Sequence, residues 1–337
     1  MAKGRKNETK SGKSGTESDL TGKTSASDKT TSSTKSIPSS DSKFPGIIRK
    51  NGILQDYEST EPSNIDKIRY TFKRPRESPS PELKDFKRYR RAVGLAGNEN
   101  AIQRTVLSLL KNDDDEDQKQ LINQQFIEFP SNVGFNNGLS AAKPDFVEGY
   151  LEEAFQPYPI KDLLGGSAVL TPDQFPIALP HNIGEFKRRG GDFECGTCQA
   201  AYDAACLVYG RNHACISMSK MDEANAAHVG SFVSDGKRLL ISVHYSATNA
   251  SGKTVYHQCP IYDSSISMDY NSFKLGYRQI RNLQDWARGN ACSIKDNLIV
   301  HYQESAAVTK EQGSPGELQN RNISESQAGT NNDIVGK

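Results

Sequence analysis

Large apolar side chains are concentrated in one stretch of this 337-residue chain, which limits where a hydrophobic core can form. Residues 1–45 contain 18 Ser and Thr and nine Lys and Arg, with only four large apolar residues: Met1, Leu20, Ile37 and Phe44. Such a segment buries too little apolar surface to offset the entropy of ordering it. We therefore predict one folded domain over 95–303. A disordered Ser/Thr-rich segment and basic linker precede it at 1–94, and a second disordered tail follows at 304–337.

Charge and hydropathy exclude several classes of protein. The 42 Lys and Arg residues nearly balance the 41 Asp and Glu residues, so any attraction to polyanions must come from a local basic patch. No stretch approaches the roughly 18 apolar residues of a membrane span, and the N-terminal segment lacks a secretory apolar region. We expect an intracellular protein without a membrane partner, whose six cysteines remain thiols.

The periodicity of apolar residues within 95–303 predicts a mixed α/β domain. Four helices are expected: one beginning at Asn98 or Asn100, a polar one over 118–127, one rich in small residues over 196–209, and an amphipathic one containing residues 273–286. Strands are expected at 146–150 and 183–187. A hairpin is expected over 239–245 and 254–262, with turn residues at 249–252.

Two short acidic segments lie on predicted strands, Lys143-Pro144-Asp145-Phe146 and, 40 residues later, Glu185-Phe186-Lys187. Side chains alternate across a strand, so Glu185 and Lys187 project from one face. If the strand that follows Asp145 pairs beside it, two carboxylates and one ammonium group converge. The alternative is an ordinary exposed ion pair on an edge strand, which contributes little stability.

Two carboxylates with water and substrate oxygens form the incomplete oxygen shell that Mg²⁺ prefers. Such an ion would polarise a phosphodiester and lower the pKa of an attacking water. A neighbouring lysine would orient that water or stabilise the charge that develops on the phosphoryl group.

These motifs resemble the PD-(D/E)XK nuclease superfamily, whose name describes Pro144-Asp145 followed by Glu185-Phe186-Lys187. The resemblance implies a restriction-endonuclease-like mixed β-sheet flanked by helices, and DNA cleavage with Mg²⁺ or Mn²⁺. It also implies that Asp145, Glu185 and Lys187 are the catalytic residues.

The same resemblance implies a ligand set. Asp145, Glu185 and the backbone carbonyl of Phe186 would bind the metal, and Lys187 would position the water. An acid on an upstream helix often adds to such sites, and Glu99 is the candidate here.

The sequence around the motif resembles the nuclease-like domains of uncharacterised fungal proteins. Arg188 and Arg189 follow the motif strand, and the small-residue helix carries Gln199 and Tyr202. We expect these four residues to contact nucleic acid, DNA rather than RNA.

Two basic clusters in the predicted linker are separated by ten residues, the spacing of a bipartite nuclear-import signal. They consist of Lys73, Arg74 and Arg76, followed by Lys87, Arg88, Arg90 and Arg91. A disordered linker would present them as an extended peptide to an import receptor and direct the protein to the nucleus. Alternatively, they form an arm that binds phosphates without specificity.

The sequence therefore predicts a nuclear, Mg²⁺-dependent nuclease that hydrolyses phosphodiester bonds. The alternative is a protein of the same fold that has lost activity and binds nucleic acid or a protein partner in the nucleus.

Overall fold

The computed structural model of the protein describes residues 36–55, 58–111 and 116–312. The α-helices in this part of the chain are α1 Phe44–Lys50, α2 Ile65–Lys73, α3 Leu83–Leu95, α4 Glu99–Leu107, α5 Ile160–Leu164, α6 Phe193–Ser217 and α7 Tyr270–Gln312. The strands are β1 Ile53–Gln55, β2 Gln118–Ile122, β3 Phe146–Leu151, β4 Ile177–Phe186, β5 Val229–Ser234, β6 Arg238–Thr248 and β7 Thr254–Ser265. Short 3₁₀ turns lie at Glu152–Phe155 and Gly165–Ser167.

The strands form one mixed sheet in the order β1-β7-β6-β5-β4-β3-β2. The β4–β5 and β1–β7 pairs are parallel, and the other pairs are antiparallel. Helices pack against the sheet, which confirms the predicted class of a mixed β-sheet flanked by helices. None of the helices among the described residues is long and apolar enough to cross a bilayer.

The side chains of the central strands β4 and β5 point alternately to the two faces of the sheet, and each face has its own core. Ile183 and Val233 face α6 in one core, whereas Phe186 and Phe232 face α7 in the other, because neighbouring side chains on a strand point to opposite faces. The buried surface of α6 is rich in alanine, at positions 200, 201, 204 and 205. Small side chains allow this helix to lie close to β4 and β5.

The prediction of a disordered basic linker before residue 95 is wrong for the described part of that segment, because it folds into α1, α2 and α3. Phe86, Tyr89 and Val93 of α3 are buried in the core that faces α7. The Tyr89 hydroxyl donates to the Gly236 carbonyl at 2.8 Å. A few apolar residues at helical spacing are enough because a larger core already exists for them to join.

Two other predictions are corrected, one in its boundary and one in the type of element. The C-terminal tail was expected from 304, but α7 continues to Gln312. Residues 118–127 are not a polar helix, because Gln118–Ile122 form β2 and pair antiparallel with β3. That pairing is a non-local contact, which helix periodicity does not reveal. Of the disordered segments predicted at 1–94 and 304–337, residues 1–35 and 313–337 lie outside the described residues.

Several predicted elements are confirmed. The side chain of Asn98 caps α4 by accepting the Ala101 N–H at 2.9 Å. The strands at 146–150 and 183–187 correspond to β3 and the end of β4, and the predicted hairpin corresponds to β6 and β7. Strand β5, which separates β4 from β6, was not predicted.

Candidate active site

Asp145 and Glu185 face each other at adjacent ends of β3 and β4. The antiparallel register pairs Phe146 with Gly184, which places the residue before β3 beside Glu185. The Asp145 N–H donates to Glu185 Oε1 at 3.2 Å, and the Phe186 N–H donates to Asp145 Oδ2 at 2.8 Å. These reciprocal bonds fix both carboxylates at the edge where the two strands meet.

Lys187 lies on the same side as Glu185, as the alternation predicts. Its Nζ is 3.3 Å from Glu185 Oε2, and its backbone N–H donates to the Ser234 carbonyl of β5 at 3.0 Å. The structure therefore brings Asp145, Glu185 and Lys187 together.

Asp203 of α6 is a third acid at this point, and the sequence interpretation missed it. Its side chain is hydrogen-bonded to Glu185 and accepts the backbone N–H of Lys143. Both Glu185 and Asp203 are only 3% exposed. A signal was available, since Asp203 is the only charged residue between Gln199 and Val208 on a helix otherwise suited to the core. We call Asp145, Glu185 and Asp203 the carboxylate cluster.

Burial and mutual repulsion make the carboxylate cluster hold protons more tightly than free acids do. Burial raises the pKa of Glu185 well above its usual value, and the charges of Asp203 and Asp145 add to this effect. Burial likewise raises the pKa of Asp203 to about 7, and raises the pKa of Asp145. Because two ionised carboxylates cannot bond to each other, the Glu185–Asp203 hydrogen bond requires a shared proton.

Lys187 remains a cation in this environment. Burial disfavours its charged form, but the neighbouring carboxylates, chiefly Glu185 and Asp145, outweigh that effect and raise the pKa of its ammonium group. Its side chain is therefore suited to orient or stabilise an oxyanion and unsuited to accept a proton.

Helix α4 contributes two residues to the edge of the site. Glu99, in its first turn, accepts the Arg188 N–H at 3.3 Å, and its charge contributes to raising the pKa of Lys187. One turn later, Gln103 Nε2 donates to the Asp145 carbonyl at 2.9 Å. The structure thus places Glu99 beside the predicted site, while Gln103 was not predicted.

The carboxylate cluster has the donor chemistry of a magnesium or manganese site. No three His, Cys, Asp or Glu side chains among residues 36–55, 58–111 and 116–312 form a metal site by themselves, so main-chain and water oxygens would complete the shell. The Phe186 N–H points at Asp145, and the carbonyl of the same extended residue is directed to the same strand edge. Oxygen donors with several waters are what Mg²⁺ requires.

The four predicted nucleic-acid contacts divide into three groups. Arg188 and Arg189 are exposed, and Arg189 donates to the Gly94 carbonyl of α3 at 2.9 Å. Gln199 is half-buried and donates to Ser39 Oγ at 3.1 Å.

The prediction that Tyr202 contacts nucleic acid is wrong, because this residue is only 2% exposed. Its ring packs edge-on against Phe44 with centroids 5.6 Å apart, and its hydroxyl donates to the Ser140 carbonyl at 2.8 Å. Tyr202 is a core residue and does not reach a nucleic-acid groove.

The two basic clusters are not on an extended linker. Lys73 ends α2 and Arg74 follows it, while Arg76 pairs with Asp285 of α7 at 2.5 Å. The second cluster, Lys87 to Arg91, lies on α3. The extended peptide that an import receptor requires is therefore absent from this part of the described chain, and nuclear import stays a prediction.

The chain matches the model of a known protein family. The model of a domain of unknown function (DUF7924) matches residues 98–296, a segment that begins at the cap of α4 and contains the whole carboxylate cluster and Lys187. No curated protein and no solved structure matches the chain. Because the matched segment covers more than half of the sequence, the chain belongs to the DUF7924 family.

Proposed function

We propose that this protein is a Mg²⁺- or Mn²⁺-dependent nuclease of the PD-(D/E)XK type that hydrolyses phosphodiester bonds, with DNA as the preferred substrate. The observation that carries the proposal is the convergence of Asp145, Glu185 and Lys187 at adjacent strand ends, where the Asp145 backbone N–H and the Lys187 ammonium group both lie within hydrogen-bond distance of the Glu185 carboxylate. An isolated surface ion pair would not involve a buried carboxylate, Glu185, beside a half-buried one, Asp145, both with raised pKa values.

Each residue has a role that follows from its position. Asp145 and Glu185, with the Phe186 carbonyl, would hold the divalent ion; when bound, the ion would polarise the phosphodiester and lower the pKa of the attacking water. Lys187 would hold that water or stabilise the charge that develops on the non-bridging oxygens. Hydrolysis forms one P–O bond to the water oxygen, breaks one P–O ester bond and leaves a proton on the departing oxygen.

Asp203 acts on the site through Glu185. Burial raises the pKa values of both acids, which favours a proton on the pair and limits the repulsion among three acids beside a single lysine. A divalent cation would supply the missing positive charge, so loss of the shared proton and metal binding are expected to be linked.

The experiment is cleavage of plasmid, linear duplex and single-stranded DNA by the full chain, with Mg²⁺, Mn²⁺ or a chelator. Asp145→Asn and Lys187→Ala should each abolish metal-dependent cleavage while the far-ultraviolet circular dichroism stays unchanged. The matched control is Asp222→Asn, since Asp222 pairs with Arg211 at 2.6 Å away from the carboxylate cluster.

Undiminished cleavage in Asp145→Asn or Lys187→Ala would refute this assignment of the site. Absence of cleavage by a folded wild-type chain on every substrate would favour the alternative, a nuclease-like fold that binds nucleic acid or a protein partner without turnover.

A further inference from the structure

Helix α3 carries a row of cations that ends beside the candidate active site. Lys87, Arg90 and Arg91, which we call the basic stripe, are exposed and spaced by three and four residues, so they share one side of the helix. Gly94 continues the same row, and its carbonyl accepts a hydrogen bond from Arg189. We infer that the basic stripe, continued by Arg188 and Arg189, binds the phosphate backbone of duplex DNA and leads it into the site. We call the basic stripe together with Arg188 and Arg189 the phosphate track. That the track leads DNA to the candidate active site rests on the proposed nuclease function, whereas its binding to DNA can be tested separately.

The orientation of the basic stripe is fixed by the opposite side of the helix. Phe86, Tyr89 and Val93 are buried, and Phe86 and Tyr89 pack on Phe273 of α7 with ring centroids 5.6 and 5.0 Å apart. The helix cannot rotate without exposing these rings. The cations are therefore presented from a rigid element, which reduces the entropy lost on binding.

The cations of the basic stripe are not neutralised by acids of the described chain. Among the described residues, neither Lys87, Arg90 nor Arg91 has a carboxylate partner, and the same holds for the side chains of Arg188 and Arg189. By contrast, Arg88 of the same helix pairs with Asp85 at 2.5 Å. The excess positive charge is thus confined to the side of α3 that leads to Arg189.

The dimensions fit a run of consecutive phosphates. From Lys87 to Gly94 the helix advances seven residues, or about 10 Å at 1.5 Å per residue. Phosphates follow one strand of duplex DNA at about 3.4 Å along the axis, so this length covers about three of them. Arg189 is two residues from Lys187, so the track ends within about 8 Å of the Lys187 Cα, given 3.8 Å between consecutive Cα atoms.

Such contacts would bind DNA without reading its sequence. Lys and Arg contacts to phosphate release condensed counterions, so each lost contact lowers the dependence of affinity on salt concentration. This signature separates a phosphate track from a merely structural role of α3.

The test is the affinity of the full chain for a fluorescent 20-base-pair duplex, measured by anisotropy in chelator over a range of salt concentrations. The variant K87Q/R90Q/R91Q keeps good helix formers at all three positions. Its slope of log affinity against log salt should be shallower by about 3, at 0.9 per phosphate contact. The single variant Lys87→Gln should lower the slope by about 1, whereas Lys87→Arg should keep it.

The matched control is Arg88→Gln, which removes one paired cation from the other side of the same helix and should leave the slope nearly unchanged. Unchanged affinity and slope in the folded triple variant would contradict the proposal that the basic stripe binds DNA. A loss of slope in Arg88→Gln equal to that in Lys87→Gln would also contradict it. Because binding is measured without metal, a chain that binds through the stripe but cleaves nothing refutes the nuclease proposal alone. A chain that cleaves but binds equally well without the stripe refutes the track alone.

Discussion

The carboxyl groups of Glu185 and Asp203 are hydrogen-bonded to each other between β4 and α6, where both side chains are almost completely buried. Such a pair persists only with a shared proton or with a nearby cation, because two buried anions repel each other strongly at low dielectric. Lys187 supplies one positive charge. This relationship sets how the stability of the protein depends on pH.

Replacing Asp203 by Asn should reduce the loss of stability of the metal-free protein as pH rises. The folded-state pKa of Asp203 is raised from 3.8 to about 7, so between these values the folded state binds more protons than the unfolded state. Stability is therefore highest below the unfolded pKa and falls as pH rises towards 7, by on the order of a few kcal/mol. Urea unfolding at pH 5 and pH 8 should show a large difference for the wild type and a smaller one for Asp203→Asn.

Asp222→Asn is the control for this pH experiment, because the pKa of Asp222 is shifted in the opposite direction. Despite partial burial, which acts to raise it, the Arg211 guanidinium lowers the pKa of Asp222, so its carboxylate stabilises the fold above the unfolded pKa. This variant should lose similar stability at pH 5 and at pH 8, both above the unfolded pKa, and keep the steep pH dependence of the Asp203 pair. A wild-type protein equally stable at pH 5 and pH 8 would contradict the shared proton.

Gly196→Ala should impair the site without unfolding the protein. A Cβ at Gly196 would lie 2.8 Å from Cε and 3.1 Å from Cγ of Lys187, and 3.1 Å from Cγ1 of the buried Val233, so the lysine side chain must move and the valine must shift by a few tenths of an ångström. The flexible lysine can yield, and alanine favours the helix by about 1 kcal/mol. We expect unchanged or slightly higher thermal stability and at least a tenfold lower rate of DNA cleavage, since a displacement of about 1 Å can cost about 100-fold.

Gly289→Ala is the matched control for Gly196→Ala. It also adds a methyl group within a helix, and no heavy atom lies within 4 Å of the added carbon. Both variants should unfold at similar temperatures, and only Gly196→Ala should cleave more slowly. Equal cleavage rates would mean that the position of Lys187 does not matter for the reaction.

Gly184→Ala should instead destabilise the fold. A Cβ at Gly184 would lie 2.2 Å from the ring of Phe232, which belongs to β5 and is fully buried. Overpacking of this kind costs about 1–3 kcal/mol or more, so the midpoint of urea unfolding should fall markedly. Adding Phe232→Leu should recover part of the loss, and a Gly184→Ala variant as stable as the wild type would contradict this packing.

The three motif residues could be placed from the sequence because their geometry is local. Glu185 and Lys187 are two residues apart along one strand, so they must share a face. To place Asp145 beside them, only the pairing of β3 with β4 had to be assumed. Asp203 joins the site through the packing of α6 on β4, which no spacing rule predicts. Its isolation within an apolar helix was the available clue.

The errors in the fold arose where long-range contacts outweigh local preference. Residues 118–120 are polar, yet residues 118–122 form an edge strand because β3 offers its hydrogen-bonding groups. Helix α3 has five Lys and Arg among its 13 residues, but three correctly spaced apolar residues anchor it in the core that contains Phe273 of α7. In both cases the stabilising partner lies far away in the sequence.

The measurement that tests the central claim most directly is titration of Mn²⁺ into the metal-free full chain at pH 7.5, followed by electron paramagnetic resonance and calorimetry. We expect about one weakly bound ion, with proton release from the Glu185–Asp203 pair, and loss of binding in Asp145→Asn but not in Asp222→Asn. No bound Mn²⁺, or equal binding by wild type and Asp145→Asn, would contradict a metal site at the carboxylate cluster.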